Sequence, residues 1–166
     1  MTMQEFINKS PVTTEQIQRC VIEFVRNHDD ITIIGAWAVN IHSIDTDEEQ
    51  RQTADIDLMT TNADVQTQLI AHIYANLGVW LKKHSVYPDL TRLYVDGMND
   101  NKPIVDIVNG IAESEIKNGL RIATTEWQIE NKKKAIASPL RKETKRLTDQ
   151  RDLLVLIQAQ KCRGFK

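Results

Sequence analysis

The chain is poor in the residues that build cross-linked, extended or membrane-spanning proteins. It has two cysteines among 166 residues, too few for a disulfide framework, and Cys20 and Cys162 lack metal-ligand spacing. Cys20 falls on the apolar helix face of Ile17, Val21 and Phe24, where a thiol packs as a small hydrophobe. With six glycines and four prolines, the chain has no flexible or proline-rich linker, and no internal repeat or low-complexity tract is present. A single domain over residues 1–166 is expected, its core at about 31–110 and a helical C-terminal part at about 111–166. No apolar run approaches the ~20 residues of a membrane span. The first ten residues, with Glu5 and Lys9, lack the layout of a secretory leader, so a cytoplasmic protein with no membrane partner is expected. Aromatic residues make up 5%, and Trp37, Trp80 and Trp127 are too scattered for a base-stacking platform. A net charge of -2 argues against general nucleic-acid affinity. The basic residues nevertheless crowd the last third, from Lys132, Lys133 and Lys134 through Arg141, Lys142, Lys145, Arg146 and Arg151.

The pattern of what is present predicts an α/β (α+β) domain, a mixed β-sheet flanked by helices with a helical C-terminus. Thr13 and Gln16 form a capping box ahead of the helical spacing of Ile17, Cys20, Val21, Phe24 and Val25, a helix to about His28. Ile31–Ile34 is a β-branched strand ending at Gly35, and a short helix follows to Ile44. Residues 54–60 predict a strand, and Val65–Leu77 a helix closed by Gly78. Strands are predicted at Val79–Val86, Arg92–Val95 and Ile104–Val108. Beyond Glu113 the pattern predicts a helix to about Asn118, a strand near Arg121–Ala123 and a helix through Glu126–Ala137. Ser138 and Pro139 suit the cap and first position of a last helix, whose apolar face would be Leu153, Leu154, Leu156 and Ile157.

The chemistry lies in the acids. Side chains two apart on a strand share a face, so Asp55 and Asp57 project together while Ile56 and Leu58 enter the core. Adjacent carboxylates repel unless a cation lies between them, and a divalent ion with oxygen ligands meets that need. Asp45 and Asp47 repeat the spacing, but in a polar loop beside Glu48 and Glu49, where the charges are solvated. Asp106 is a third acid, set in the apolar run Ile104–Val108, where an uncompensated charge is hard to keep. His28, His42, His72 and His84 have no ligand spacing.

Gly35-Ala36, then Arg51-x-Thr53-x-Asp55-Ile56-Asp57-Leu58, then a lone acid in an apolar strand resembles the signature of the nucleotidyltransferase superfamily, the DNA polymerase beta-like fold. The pattern is most similar to minimal nucleotidyltransferases of the abortive-infection AbiEii type. Lys134-x-x-Ala137, Arg141-Lys142 and Asp149-x-x-Asp152-Leu153 resemble that group's late elements. Gly35-Ala36 stands where the family has Gly-Ser or Gly-Gly, so a hydroxyl that touches the terminal phosphates is missing. The resemblance implies that Asp55, Asp57 and Asp106 hold Mg2+ or Mn2+ and catalyse transfer of a nucleotide from a nucleoside triphosphate such as ATP. It implies nucleotide contacts from Gly35, Ala36, Arg51, Lys134 and Arg141. The acceptor is left open between an RNA end such as tRNA, a protein and a small molecule. A catalytically silent member of the fold that binds nucleotide or a partner is the alternative, and a metal-dependent phosphodiesterase a third reading. Asp149 and Asp152, three apart on a helix, can also simply pair with Lys145, Arg146 or Arg151.

Overall fold

The computed structural model describes residues 12–45, 52–53, 55–96 and 102–163. Arg51, Asp47 and residues 97–101, a stretch that the sequence makes dense in turn formers, lie outside the described residues. Helix α1 (Thr14–Arg26) precedes β1 (Thr32–Ile34), α2 (Gly35–His42), a 3-10 turn (Ser43–Asp45), β2 (Ile56–Thr60) and α3 (Val65–Leu77). Then come β3 (Leu81–Tyr87), β4 (Leu90–Val95), β5 (Val105–Asn109), β6 (Ser114–Lys117), β7 (Leu120–Ala123), α4 (Thr125–Ala137) and α5 (Glu143–Arg163). The strands form one mixed sheet in the order β3-β4-β5-β2-β1-β7-β6.

Local chemistry fixes the ends of several elements. The Thr13 hydroxyl accepts from the Gln16 N–H at 3.2 Å and the Gln16 amide oxygen accepts from the Thr13 N–H at 2.8 Å, a capping box worth about 1 kcal/mol. Gly78, at φ +68°, closes α3 in the left-handed conformation that costs glycine least.

Strand alternation decides which face of the sheet is core. Ile56 and Leu58 are fully buried with Ile33, Val105, Leu93 and Leu81, and α1 and α3 cover them with Ile17, Val21, Phe24, Leu69 and Ile73. Cys20 is buried in this layer, and burial pushes its thiol pKa up. The opposite face carries Asp57 and Asp106. Over its β1–β7 side lie smaller clusters, one of Ile34, Ala112 and Ala123 with Trp127, the other of Val39, Ile129, Val155 and Leu156. These anchor α2, α4 and α5 around the acids.

Four expectations are corrected. Residues 114–117 are a strand, so the helical C-terminal part begins at Thr125. The physical reason is the two-residue turn Asn118-Gly119, both at positive φ (54° and 75°), which pairs Lys117 with Leu120; Asn-Gly is the preferred type I′ hairpin turn. Ser138 caps the C-terminus of α4 instead of starting a helix. Arg146 donates to the carbonyls of Ile136, Ser138 and Arg141, holding that connection as a turn until α5 begins. On α5, Val155 and Leu156 face inward while Leu154 is 69% exposed. Finally, Asp149 and Asp152 pair across the helices with Lys132, and Asp149 also with Arg141, because their side of α5 faces α4.

Candidate active site

The parallel register of β2 and β5 sets Asp57 directly beside Asp106, and neighbours in register share a face of the sheet. Asp55 lies one residue before β2. Its carboxylate accepts from the Thr53 hydroxyl at 3.0 Å, and that hydroxyl also reaches the Asp55 carbonyl. One oxygen from each of Asp55, Asp57 and Asp106 can be chosen so that all lie within 4.8 Å of one another. On the far side, the register places Arg92 of β4 opposite Asp106, and Arg92 Nε donates to Asp106 Oδ1 at 3.2 Å.

The electrostatics follow from crowding. Burial, then the charges of Asp55 and Asp106, push the Asp57 carboxyl up to about 7, against the opposing pull of Lys132 and Arg92. Burial also raises Asp106; Arg92 and the more distant Lys145 act against that rise and Asp55 adds to it. The site thus carries more negative charge than its own side chains neutralise, the condition under which a cation binds.

Gly35 makes the approach of α2 possible. Its φ is +66°, and a Cβ there would collide with the Asp57 carboxylate. The buried Gln128 of α4 grips its peptide from both sides: Gln128 Nε2 donates to the Gly35 carbonyl at 3.0 Å, and the Gly35 N–H donates to Gln128 Oε1 at 3.4 Å. Helix α2 has Ile34 at its N-cap and no side-chain cap. The N–H groups of its next residues, from Ala36 on, therefore have no capping side chain, and such a helix start suits an anion.

A buried ion cluster supports the site from below. Lys132 Nζ lies 3.2 Å from Asp149 Oδ1 and 3.1 Å from Asp152 Oδ2. Arg141 meets Asp149 through Nε at 2.8 Å and Nη2 at 3.0 Å. Burial alone would raise the Asp149 carboxyl, but the hydrogen bond from Arg141 and the charge of Lys132 outweigh it and hold the pKa below the usual range. Lys132 is also the cation whose charge most favours ionised Asp57, so the cluster and the triad share it.

The structure therefore brings together Asp55, Asp57, Asp106 and Gly35, with Ala36 at the helix start. Arg141 is engaged by Asp149, Lys134 is exposed on α4, and Arg51 is not described. Sequence reading passed over Lys132, Gln128 and Arg92. The four-residue stretch Asn131–Lys134 offers three successive lysines, and only helix packing selects the one that turns inward.

No protein-family model and no curated protein matches the chain. Solved structures do. A Megavirus polyadenylate synthase superposes with a TM-score of 0.69 at 15% identity, over 88% of this chain and 31% of that one. JHP933 from Helicobacter pylori gives 0.59 at 18% identity, over 92% and 66%. A proposed nucleotidyltransferase from H. pylori gives 0.51 at 16%, over 84% and 61%. The chain spans between about one third and two thirds of the length of these proteins. Its mixed α/β architecture is the nucleotidyltransferase fold.

Proposed function

We propose that the protein transfers a nucleoside monophosphate from a nucleoside triphosphate to an acceptor hydroxyl in a metal-dependent reaction. The observation that carries this reading is the convergence of Asp55, Asp57 and Asp106 at the open end of α2. The donor set fits a hard divalent cation: three carboxylates, with the Asp57 carboxyl raised to about 7 by burial and by the charges of Asp55 and Asp106, a rise that a bound cation would oppose. Magnesium or manganese bound there would supply Lewis acidity at the phosphates and lower the pKa of the acceptor hydroxyl.

The chain's own residues have separable tasks. Asp55 and Asp57 would hold the divalent ion, placing its positive charge beside the triphosphate. The N–H groups following Gly35 receive phosphate oxygens, which compensates for the missing hydroxyl at Ala36. The exposed Lys134 is the proposed contact of the triphosphate tail, and Arg51 and Arg141 are further proposed nucleotide contacts, Arg141 while it is also paired with Asp149. Asp106 accepts the acceptor's proton. The acceptor oxygen bonds to the α-phosphorus, the bond from that phosphorus to the bridging oxygen breaks, and pyrophosphate departs with the electron pair. The name of the Megavirus neighbour supports triphosphate chemistry on this scaffold.

Incubation with magnesium, each triphosphate labelled at the α-phosphate, and cell extract tests the proposal. Label should enter an acceptor as pyrophosphate is released. Label released only as monophosphate would identify a phosphodiesterase, and no turnover with retained nucleotide binding would identify a silent member of the fold.

A further inference from the structure

Arg92 is built into the carboxylate site by the sheet. Four consecutive register pairs, from Leu90 with Val108 to Leu93 with Val105, set β4 against β5 and hold Arg92 opposite Asp106. The adjacent Leu93 is fully buried, and its carbonyl accepts from the Ile104 N–H at 2.8 Å, so the backbone that carries the guanidinium is held in place. The contact runs from Nε to Oδ1 at 3.2 Å, with the Arg92 side chain 32% exposed and that of Asp106 13%. An exposed pair such as Lys82 with Asp96, about half exposed on both sides, is screened by solvent; the Arg92–Asp106 pair is screened much less. A guanidinium also keeps its charge at any working pH.

The cations near the triad are not equivalent. Lys132 and Arg92 both act on Asp57, but Lys132 is committed elsewhere. It and Arg141 face Asp149 and Asp152, two cations against two acids, so that cluster is neutral by itself. Lys145, which acts on Asp106 from a distance, is exposed, and solvent screens its charge. Arg92 is therefore the cation fixed against the triad among the described residues. Three ionised carboxylates against one guanidinium leave two negative charges, which one divalent ion cancels. A second divalent ion on Asp106 would reverse the sign of the site and lie within a few ångströms of a guanidinium that already holds that carboxylate, where like charges repel strongly. Resting on the metal-dependent transfer proposed above, we infer that the triad takes a single divalent ion and that Arg92 occupies the place of a second one beside Asp106. Asp55 and Asp57 then hold the ion beside the triphosphate, while Asp106, oriented by Arg92 and not spent on a further ion, is left to accept the proton. Arg92 is a positioning residue: a guanidinium has donors only, so it cannot coordinate a metal and acts through Asp106.

The probe is Mn2+ itself, titrated into the whole chain with and without a non-hydrolysable triphosphate analogue, the unbound ion being counted by its electron paramagnetic resonance signal. Wild type should bind about one Mn2+ per chain in both series, and Asp57→Asn should abolish that binding. Arg92→Gln keeps a hydrogen-bond donor but drops the charge. It should bind about two, and two ions roughly 4 Å apart, the spacing of a two-metal site, broaden each other's spectrum. Arg92→Lys restores the charge and should return the count to about one. Two ions in wild type would overturn the inference and leave the metal-dependent reading intact, and so would a count that stays at one in folded Arg92→Gln. If wild type binds no Mn2+ in either series, or Asp57→Asn binds it as wild type does, the metal-dependent reading fails and this inference goes with it. The wild-type count needs no variant, so the inference stays open to refutation even if Arg92→Gln does not fold.

Discussion

Replacing Asp57 by asparagine should make the protein more stable without metal and less responsive with it. The carboxyl is pushed from 3.8 to about 7 by burial and by the charges of Asp55 and Asp106. A folded pKa above the unfolded one means that the folded state binds the proton more tightly. The associated stability is complete below pH 3.8 and is lost as pH rises through about 7. A shift of about three units corresponds to about 4 kcal/mol. Asp57 keeps some contact with solvent, so that figure is an upper bound and about 1–3 kcal/mol is the expected gain for Asp57→Asn at pH 8. For a chain of this length each kcal/mol moves the melting temperature by roughly 2–4 degrees. In chelator at pH 8 the variant should therefore melt roughly 2–12 degrees above wild type, and at pH 4 the gap should nearly close. Magnesium and triphosphate at ten times the dissociation constant should add about 1.4 kcal/mol to wild type and little to the variant. The assay is thermal melting of both proteins at the two pH values, with and without magnesium and each triphosphate. Equal stability of the two in chelator at pH 8, or equal shifts with nucleotide, would refute the crowded-carboxylate site.

The remaining predictions probe its supports. Gly35→Ala combines a positive φ with a methyl directed at the Asp57 carboxylate, so denaturant unfolding should show a loss of about 1–3 kcal/mol and the magnesium-triphosphate shift should disappear. Lys132→Met leaves Asp149 and Asp152, each 2% exposed, facing each other without their shared cation; a loss of about 3 kcal/mol or more is expected, partly restored when both acids are also made asparagine. Because the Asp149 carboxyl is held below its ordinary value, its stabilisation is present above about pH 4 and lost as pH falls through the lowered value, so acid titration of Asp149→Asn should show a flatter decline than wild type. Asp106→Asn should slow transfer at least ~100-fold while triphosphate affinity stays within a few-fold; unchanged turnover would remove Asp106 from the chemistry. Lys134→Ala should weaken triphosphate binding more than monophosphate binding, by a margin that shrinks with added salt.

The acids were legible in the sequence because burial and charge conflict there. An aspartate between apolar strand neighbours, at Asp57 and again at Asp106, has to be compensated, and that conflict is visible without coordinates. The Val65–Leu77 helix was legible for a different reason: period and terminal glycine agree. Ser114–Lys117 misled because four residues carry too little periodicity to separate strand from helix. The informative signal was the Asn118-Gly119 pair after it, whose two left-handed residues leave the chain little choice but a hairpin. Ser138-Pro139 is ambiguous in principle, since proline suits both the first turn of a helix and the residues just beyond one. The carbonyls captured by Arg146 decide between the two.

What the sequence could not show is the partnership between elements that gives the site its shape. Asp149 and Asp152 satisfy the i, i+3 rule with cations on their own helix, and that rule is sound for an exposed face. They lie instead on the buried side of α5, where a charge held only by its own helix would stay unpaired, so the cations come from Lys132 across the helix contact and from Arg141 in the turn before α5. The same contact brings Gln128 to the Gly35 peptide, and Gly35 in turn has no Cβ to keep α2 away from Asp57. One chain of contacts thus runs from the Asp149–Lys132 pair through α4 to the carboxylates. The family-like hydroxyl missing at Ala36 has a counterpart in this arrangement: a helix start whose position is fixed by the Gln128 amide and whose N–H groups do not depend on a neighbouring serine. Breaking the Gln128 grip while leaving all three acids in place, as in Gln128→Leu, should therefore weaken triphosphate affinity more than magnesium affinity, whereas loss of an acid should weaken both.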